Sequence, residues 1–206
     1  LVADGHEAIA TVTDVSKADQ VEAAVAAAVS EFGSLDILVP NAGIQLHDRD
    51  IGLHDLSEEV WDATMDVNLR GIYLSCRFGL KQMLKQGTGG AIVIVSSITA
   101  ISGVSENFAY LTSKGALLAL SRNIALTYAK DGIRCNTVCP GALERTPNHD
   151  LHLRPEARAA MLKETVPLGR TGTPEEIAPM IVFLTSEDAS YTTAGTFVVD
   201  GGRTMI

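Results

Sequence analysis

The chain has 206 residues, 46% of them apolar and 20% charged, and a formal net charge of −9. Such a length and balance suit one soluble globular domain with a substantial core, and the acidity, with no basic cluster, argues against a nucleic-acid surface. No apolar run approaches the ~18 residues needed to cross a bilayer. The opening Leu1-Val-Ala-Asp-Gly5 has neither the basic start nor the apolar stretch of a signal peptide, so the cytoplasm is the expected location.

Strands and helices alternate along the chain, which predicts an α/β fold built on a parallel sheet. Ala8 to Thr13 reads as a short strand ending at Asp14-Val15. Ser16 then caps a helix whose apolar positions Val21, Val25, Ala28, Val29 and Phe32 keep helical spacing until Gly33. Leu35 to Val39 is the next strand. Ser57-Glu-Glu opens a long helix to about Gln86, with acids at its positive end and Gly87 after it. Ala91 to Val95 is a continuous apolar strand of the kind buried on both faces. A helix from Asn107 to about Lys130 stops at Asp131-Gly132, and Ile133 to Val138 follows as a strand. Between Ala142 and about Arg170 the pattern is irregular, with one short helix started by Pro155-Glu156. Thr173-Pro174-Glu-Glu caps a further helix in which Pro179 removes a donor and should kink the backbone, and Thr196 to Val199 closes the sheet. No repeat, low-complexity tract or linker divides residues 1–206.

The odd cysteine count, Cys76, Cys135 and Cys139 without a CxxC spacing, fits reduced thiols. Cys135 and Cys139 share strand parity and should pack on one face. His149 and His152 form the one pair with ligand-like spacing, but two loop histidines without further donors do not make a metal site, and no metal is expected.

The chemistry concentrates on Tyr110 and Lys114, four apart near a helix start and so on one face. Ser97 lies thirteen residues earlier, at the end of the apolar strand. A phenol titrates near pH ~10, and a neighbouring ammonium favours its ionised form. Tyrosine as acid/base, lysine as tuner and serine as orienter suit proton exchange on an alcohol/carbonyl pair. The tyrosine–lysine spacing alone is a weak signal. Its company is stronger: Asn41-Ala42-Gly43 after a strand, Asn68 inside a helix, Ser96-Ser97 after another strand, and Pro140-Gly141 after a third.

This ordered series resembles the short-chain dehydrogenase/reductase family from about Thr13 to Gly202. The resemblance implies a Rossmann-like, doubly wound parallel sheet and an NAD(P)-dependent oxidoreductase that interconverts a secondary alcohol and a ketone. Tyr110 would be the general acid/base. Lys114 would hold the nicotinamide ribose and lower the tyrosine's pKa, and Ser97, rather than Ser96, would orient the substrate oxygen. Asn68 would kink its helix and hold a water linked to the lysine. The resemblance assigns Asp14 and Val15 to the adenine ring and Asn41, Ala42 and Gly43 to the adenine ribose, with Pro40 where the family usually has a first asparagine. Pro140, Gly141 and Leu143 would pack on the nicotinamide. The family's threonine five residues after that proline is Arg145 here, so Thr146, one later, takes the carboxamide role. Substrate specificity is expected at Gln45, Ile98, Thr99, Asn107, Ala142 and the stretch Glu144–Glu164, which includes His149.

The family's glycine-rich phosphate loop and its first two strands have no counterpart, which makes the chain read as a piece of a longer enzyme. In the family's strand order those two strands lie between Ala8–Thr13 and Leu35–Val39, so the first would lack neighbours and the second would expose an edge. The residue that separates NAD from NADP lies in the same segment, so the preference is not readable. A homotetramer is expected, paired through the helices Ser57–Gln86 and Asn107–Lys130 and through the final strand. The alternative to an enzyme is an inactive family member that acts only as an oligomerising piece.

Overall fold

The computed structural model of the chain describes residues 2–144 and 164–205. Four parallel strands form one sheet in the spatial order of the sequence: β1 (Ile37–Leu38), β2 (Gly90–Val95), β3 (Ile133–Pro140) and β4 (Thr196–Val199). Parallel neighbours need a long crossover, and helices supply it. These are α1 (Ala18–Phe32), α2 (Glu58–Met65), α3 (Gly71–Gln86), α4 (Phe108–Tyr128) and α5 (Pro174–Thr185).

Alternation along β2 sends successive side chains to opposite helical layers. Ile92 and Ile94 join Ile72, Leu80 and Met83 of α3 and Leu117 and Ile124 of α4, while Val93 meets Ile177 and Leu184 of α5. Both layers are dry: Ile92, Val93 and Ile94 are fully buried, as the continuous apolar run predicts. Cys135 joins the α3–α4 layer, and Cys139 lies on the same side near Lys114. The three cysteines are free and buried, and burial pushes the Cys135 thiol up to about 11.

The predicted helix over 57–86 is one path in three pieces. Ser57 caps it by accepting from the Val60 amide at 3.3 Å. Asp66–Arg70 then widens into a π turn around Asn68, and α3 carries on to Gln86. A π turn bends a helix and re-aims one residue. α4 ends in a tight turn, Ala129–Asp131, and β3 runs two residues past its predicted end, to Pro140. At α5 the Glu176 carboxylate accepts from the Thr173 amide at 2.9 Å, and the helix continues across Pro179.

Three expectations at the amino-terminal side fail. Ala8–Thr13 is not a strand, and Val12 is fully exposed. A strand needs a neighbour to take its backbone bonds, and among the described residues none lies beside it. Leu35–Val39 pairs as a strand only at Ile37–Leu38, although Asp36 and Pro40 still accept from Ala91 and Val95 at 2.9 and 3.1 Å. Ser16 is not a helix cap. It sits inside a turn in which the Asp14 carboxylate accepts from the Ser16 amide at 2.9 Å and its hydroxyl at 2.7 Å, and α1 begins at Ala18. The helix predicted at Pro155-Glu156 lies outside the described residues, as do Arg145, Thr146, His149, His152 and Arg154.

Candidate active site

The carboxyl end of β2 and the first turns of α4 bring together the four residues singled out for chemistry. β2 delivers Ser96 and Ser97, α4 delivers Tyr110 and Lys114, and the π turn delivers Asn68. All are buried: Asn68 is 0% exposed, Lys114 4%, Tyr110 7% and Ser97 8%.

Ser96 and Ser97 have different partners. The Ser96 hydroxyl donates to the Lys114 carbonyl at 2.9 Å, locking the strand end to the helix. Ser97 lies close enough to the Tyr110 phenol to favour its ionised form. The Ser97 hydroxyl accepts from the Thr99 amide at 3.2 Å and the Thr99 hydroxyl at 3.0 Å, which aims it. The Lys114 ammonium donates to the Val95 carbonyl at 3.2 Å and lies 5.8 Å from the centre of the Tyr110 ring.

Burial holds the Tyr110 phenol above its ordinary value, with the nearby Ser97 opposing it. Burial also brings the Lys114 ammonium down to about 8, partly offset by Cys139. At both groups burial is the largest cause, and it disfavours the charged form of each.

Asn68 does more than interrupt a helix. Its side chain accepts from the Ile44 amide at 2.7 Å and donates to the Ile44 carbonyl at 2.9 Å, pinning the loop that follows Asn41-Ala42-Gly43. It also donates to Ser113 at 3.2 Å, and Ser113 donates to the Tyr110 carbonyl at 2.7 Å. Gly43 approaches so closely that a Cβ there would lie 3.3 Å from the Lys114 nitrogen and 3.4 Å from the Asn68 oxygen. Asn41 and Ala42, just before it, are exposed.

The remaining predicted residues fall into three groups. Gln45 donates to Asn107 at 3.1 Å at the start of α4, beside buried Ile98 and half-buried Thr99. Pro140, Gly141 and Ala142 leave the end of β3, and Leu143 bridges to Gly172 and packs against the α5 layer. A small cleft of about 90 Å³ is lined by Gly141, Ala142, Leu143, Asp200 and Gly201, and Tyr110 does not line it. Asp14 is engaged by Ser16, and Val15 packs between α1 and α3. Two site residues escaped the sequence. Ser113 adjoins Lys114 and was discoverable there. Asp50, fully buried, accepts from the amides of Ala109 and Tyr110 and carries no local signal.

Among the described residues no cluster of His, Cys, Asp and Glu could hold a metal ion, and no helix is long and apolar enough to cross a membrane.

Known proteins resemble this chain in sequence and fold. A family model described as enoyl-(acyl carrier protein) reductase matches residues 1–204. The chain is 42% identical over 194 residues to a 2-(R)-hydroxypropyl-CoM dehydrogenase of Xanthobacter autotrophicus, covering 94% of this chain and 76% of that one. It is 40% identical over 203 residues to an L-rhamnose 1-dehydrogenase (NAD(P)(+)) of Azotobacter vinelandii, covering 98% and 77%. The crystal structure of levodione reductase superposes with a TM-score of 0.91 at 34% identity, covering 98% of this chain and 80% of that one. A short-chain type dehydrogenase/reductase from Mycobacterium marinum gives 0.89 at 31% identity, covering 100% and 79%. The parallel sheet, the buried serine–tyrosine–lysine group and these relatives converge: the chain belongs to the short-chain dehydrogenase/reductase family.

Proposed function

We propose that this oxidoreductase interconverts a secondary alcohol and a ketone with NAD or NADP, and that Tyr110 exchanges the proton. The reading is carried by one observation: a buried phenol close to a buried strand-end serine, with a buried ammonium 5.8 Å from the centre of its ring. A bound nicotinamide cofactor supplies or accepts the hydride. In the reducing direction the phenol gives its proton to the substrate oxygen while Ser97 donates a hydrogen bond to the same oxygen. In the oxidising direction the proton returns to Tyr110. A phenol held above its ordinary value keeps its proton at neutral pH, which favours its acid role. Lys114, held to about 8, stands near the balance point where it can take up and pass on a proton.

Lys114 would hold the nicotinamide ribose, Pro140, Gly141, Leu143 and Thr146 would flank the nicotinamide ring, and the Asn41–Gly43 loop would lie at the adenine ribose. Asp14 and Val15 would lie toward the adenine. The substrate would meet Gln45, Ser97, Ile98, Thr99, Asn107, Ala142 and His149. The relatives' names span a sugar and a coenzyme-linked alcohol, so the shared chemistry is a carbon bearing one hydroxyl that becomes a carbonyl.

A homotetramer is the assembly we favour. An apolar-floored groove between α3 and α4 exposes Tyr73 and Leu84, in keeping with pairing through those helices. The reduced cysteines support a cytoplasmic location.

The test is a fluorescence titration with NADH and with NADPH. An absorbance assay then follows, with each oxidised cofactor and L-rhamnose, D-glucose and a 3β-hydroxysteroid. Saturable binding of one cofactor and turnover of one alcohol are expected. Binding of neither cofactor would overturn the reading.

A further inference from the structure

We propose that Asp50 is a positioning residue for Tyr110: it caps α4 from outside the helix and so sets where the phenol sits. The inference rests on the reading of Tyr110 as the proton-exchanging group. The first amides of an α-helix have no partner within it, and the residue before the helix ordinarily supplies one from its own side chain. Asn107 occupies that place in α4 but makes no such bond. Its backbone is left-handed, φ 59° and ψ 42°, and its side-chain oxygen accepts from Gln45 instead.

Asp50 takes over the capping, 59 and 60 residues away along the chain. One carboxyl oxygen accepts from the Ala109 amide at 3.1 Å and the other from the Tyr110 amide at 3.0 Å. Its own carbonyl accepts from the Asn107 amide at 2.8 Å. Asp50 is 0% exposed. A carboxyl group is costly to bury unless hydrogen bonds satisfy it, and the positive end of a helix is where it is best received. Among the described residues no Lys, Arg or His forms an ion pair with it. The capping amides are therefore its partners.

Three consequences meet at the site. Glu106 and Asn107 both have positive φ, 67° and 59°, which residues other than glycine adopt at a cost. Asp50 is the group that holds this turn closed at Asn107. Its own amide donates to Leu46 at 2.8 Å, so the clamp is anchored in the loop that runs on from Gly43 and Gln45. Asn68 pins that same loop at Ile44. The helix start and the Asn41–Gly43 loop are thus held as one unit, from opposite ends. Tyr110 is the third residue of α4, and its own amide is one of the two that are clamped. A tilt of this first turn swings the phenol oxygen away from Ser97, and a misplacement of ~1 Å at a reacting group can cost ~10²-fold in rate.

The experiment compares Asp50→Ala and Asp50→Asn with the 206-residue chain as it stands. Amide hydrogen exchange is read at Ala109 and Tyr110. The Tyr110 phenol is read as the ultraviolet titration difference against Tyr110→Phe. In Asp50→Ala, exchange at the two amides should speed up at least tenfold while that of Ile94 is unchanged. The phenol should then titrate nearer the ordinary tyrosine range. Asp50→Asn keeps the shape and one acceptor oxygen, so it should fold and fall between the two. Where the parent turns over L-rhamnose, kcat should drop ~10–100-fold with KM for the cofactor unchanged. Unchanged exchange at both amides, or an unmoved phenol titration in folded Asp50→Asn and Asp50→Ala, would overturn the proposal. A parent that binds no cofactor while exchange and phenol respond as stated would refute the functional reading and leave the placing role of Asp50 supported.

Discussion

The centre of the sheet and its β1 flank are built to different standards. At the β2–β3 centre, Ile92, Val93, Ile94, Cys135 and Val138 are fully buried between α3–α4 on one face and α5 on the other. At the β1 flank, Ile37 is 50% exposed, and the segment before α1 runs over the surface without a strand partner. The residues read as catalytic all hang on the first region. The residues read as adenine contacts, Asp14 and Asn41, hang on the second and are exposed. A proton-transfer group tolerates little displacement, so it sits where packing from two layers over-determines the backbone.

Point substitutions sharpen the contrast. Ile94→Ala should destabilise the fold by about 2–5 kcal/mol in urea unfolding, and Ile37→Ala by less than about 1 kcal/mol. Equal losses would break the comparison. Lys114 provides the next largest effect. Burial brings it from 10.5 to about 8, so between those pH values the unfolded chain holds a proton that the folded chain has released. Stability relative to Lys114→Met should therefore rise across pH 8 to 10.5, by up to about 3 kcal/mol, and stay level below pH 8. A flat difference would mean that the ammonium is solvated.

Asn68→Ala strips both bonds to Ile44 and the one to Ser113. A loss of about 1–3 kcal/mol is expected, with kcat falling more than the cofactor KM rises. Asp14→Ala should cost least, because its carboxylate serves only an exposed turn. If Asp14→Ala instead weakens NADH binding tenfold without touching stability, its adenine role is real and the turn is incidental.

The sequence made the centre legible and the flank misleading, for one reason. Ala91 to Val95 is apolar at every position, so its strand needed no knowledge of neighbours. Ala8 to Thr13 has strand-like residues too, but a strand is completed by the chain beside it, which local pattern cannot report. Within the site, the spacing of Tyr110, Lys114 and Ser97 was a weak signal alone, and Asn68 had none of its own; the ordered series of motifs and the family it resembles singled the four out. The direction of the tyrosine and lysine shifts was not readable, because desolvation is set by burial that only the fold reveals. Asp50 was invisible for a similar reason: its partners Ala109 and Tyr110 are joined to it by folding alone.

The most direct test of the account is the turnover of Tyr110→Phe under saturating nicotinamide cofactor. The substitution removes one oxygen and leaves the ring against Lys114. The account predicts a kcat lower by ~10²–10⁴-fold with cofactor affinity retained. A Tyr110→Phe protein that keeps the parent rate would contradict it.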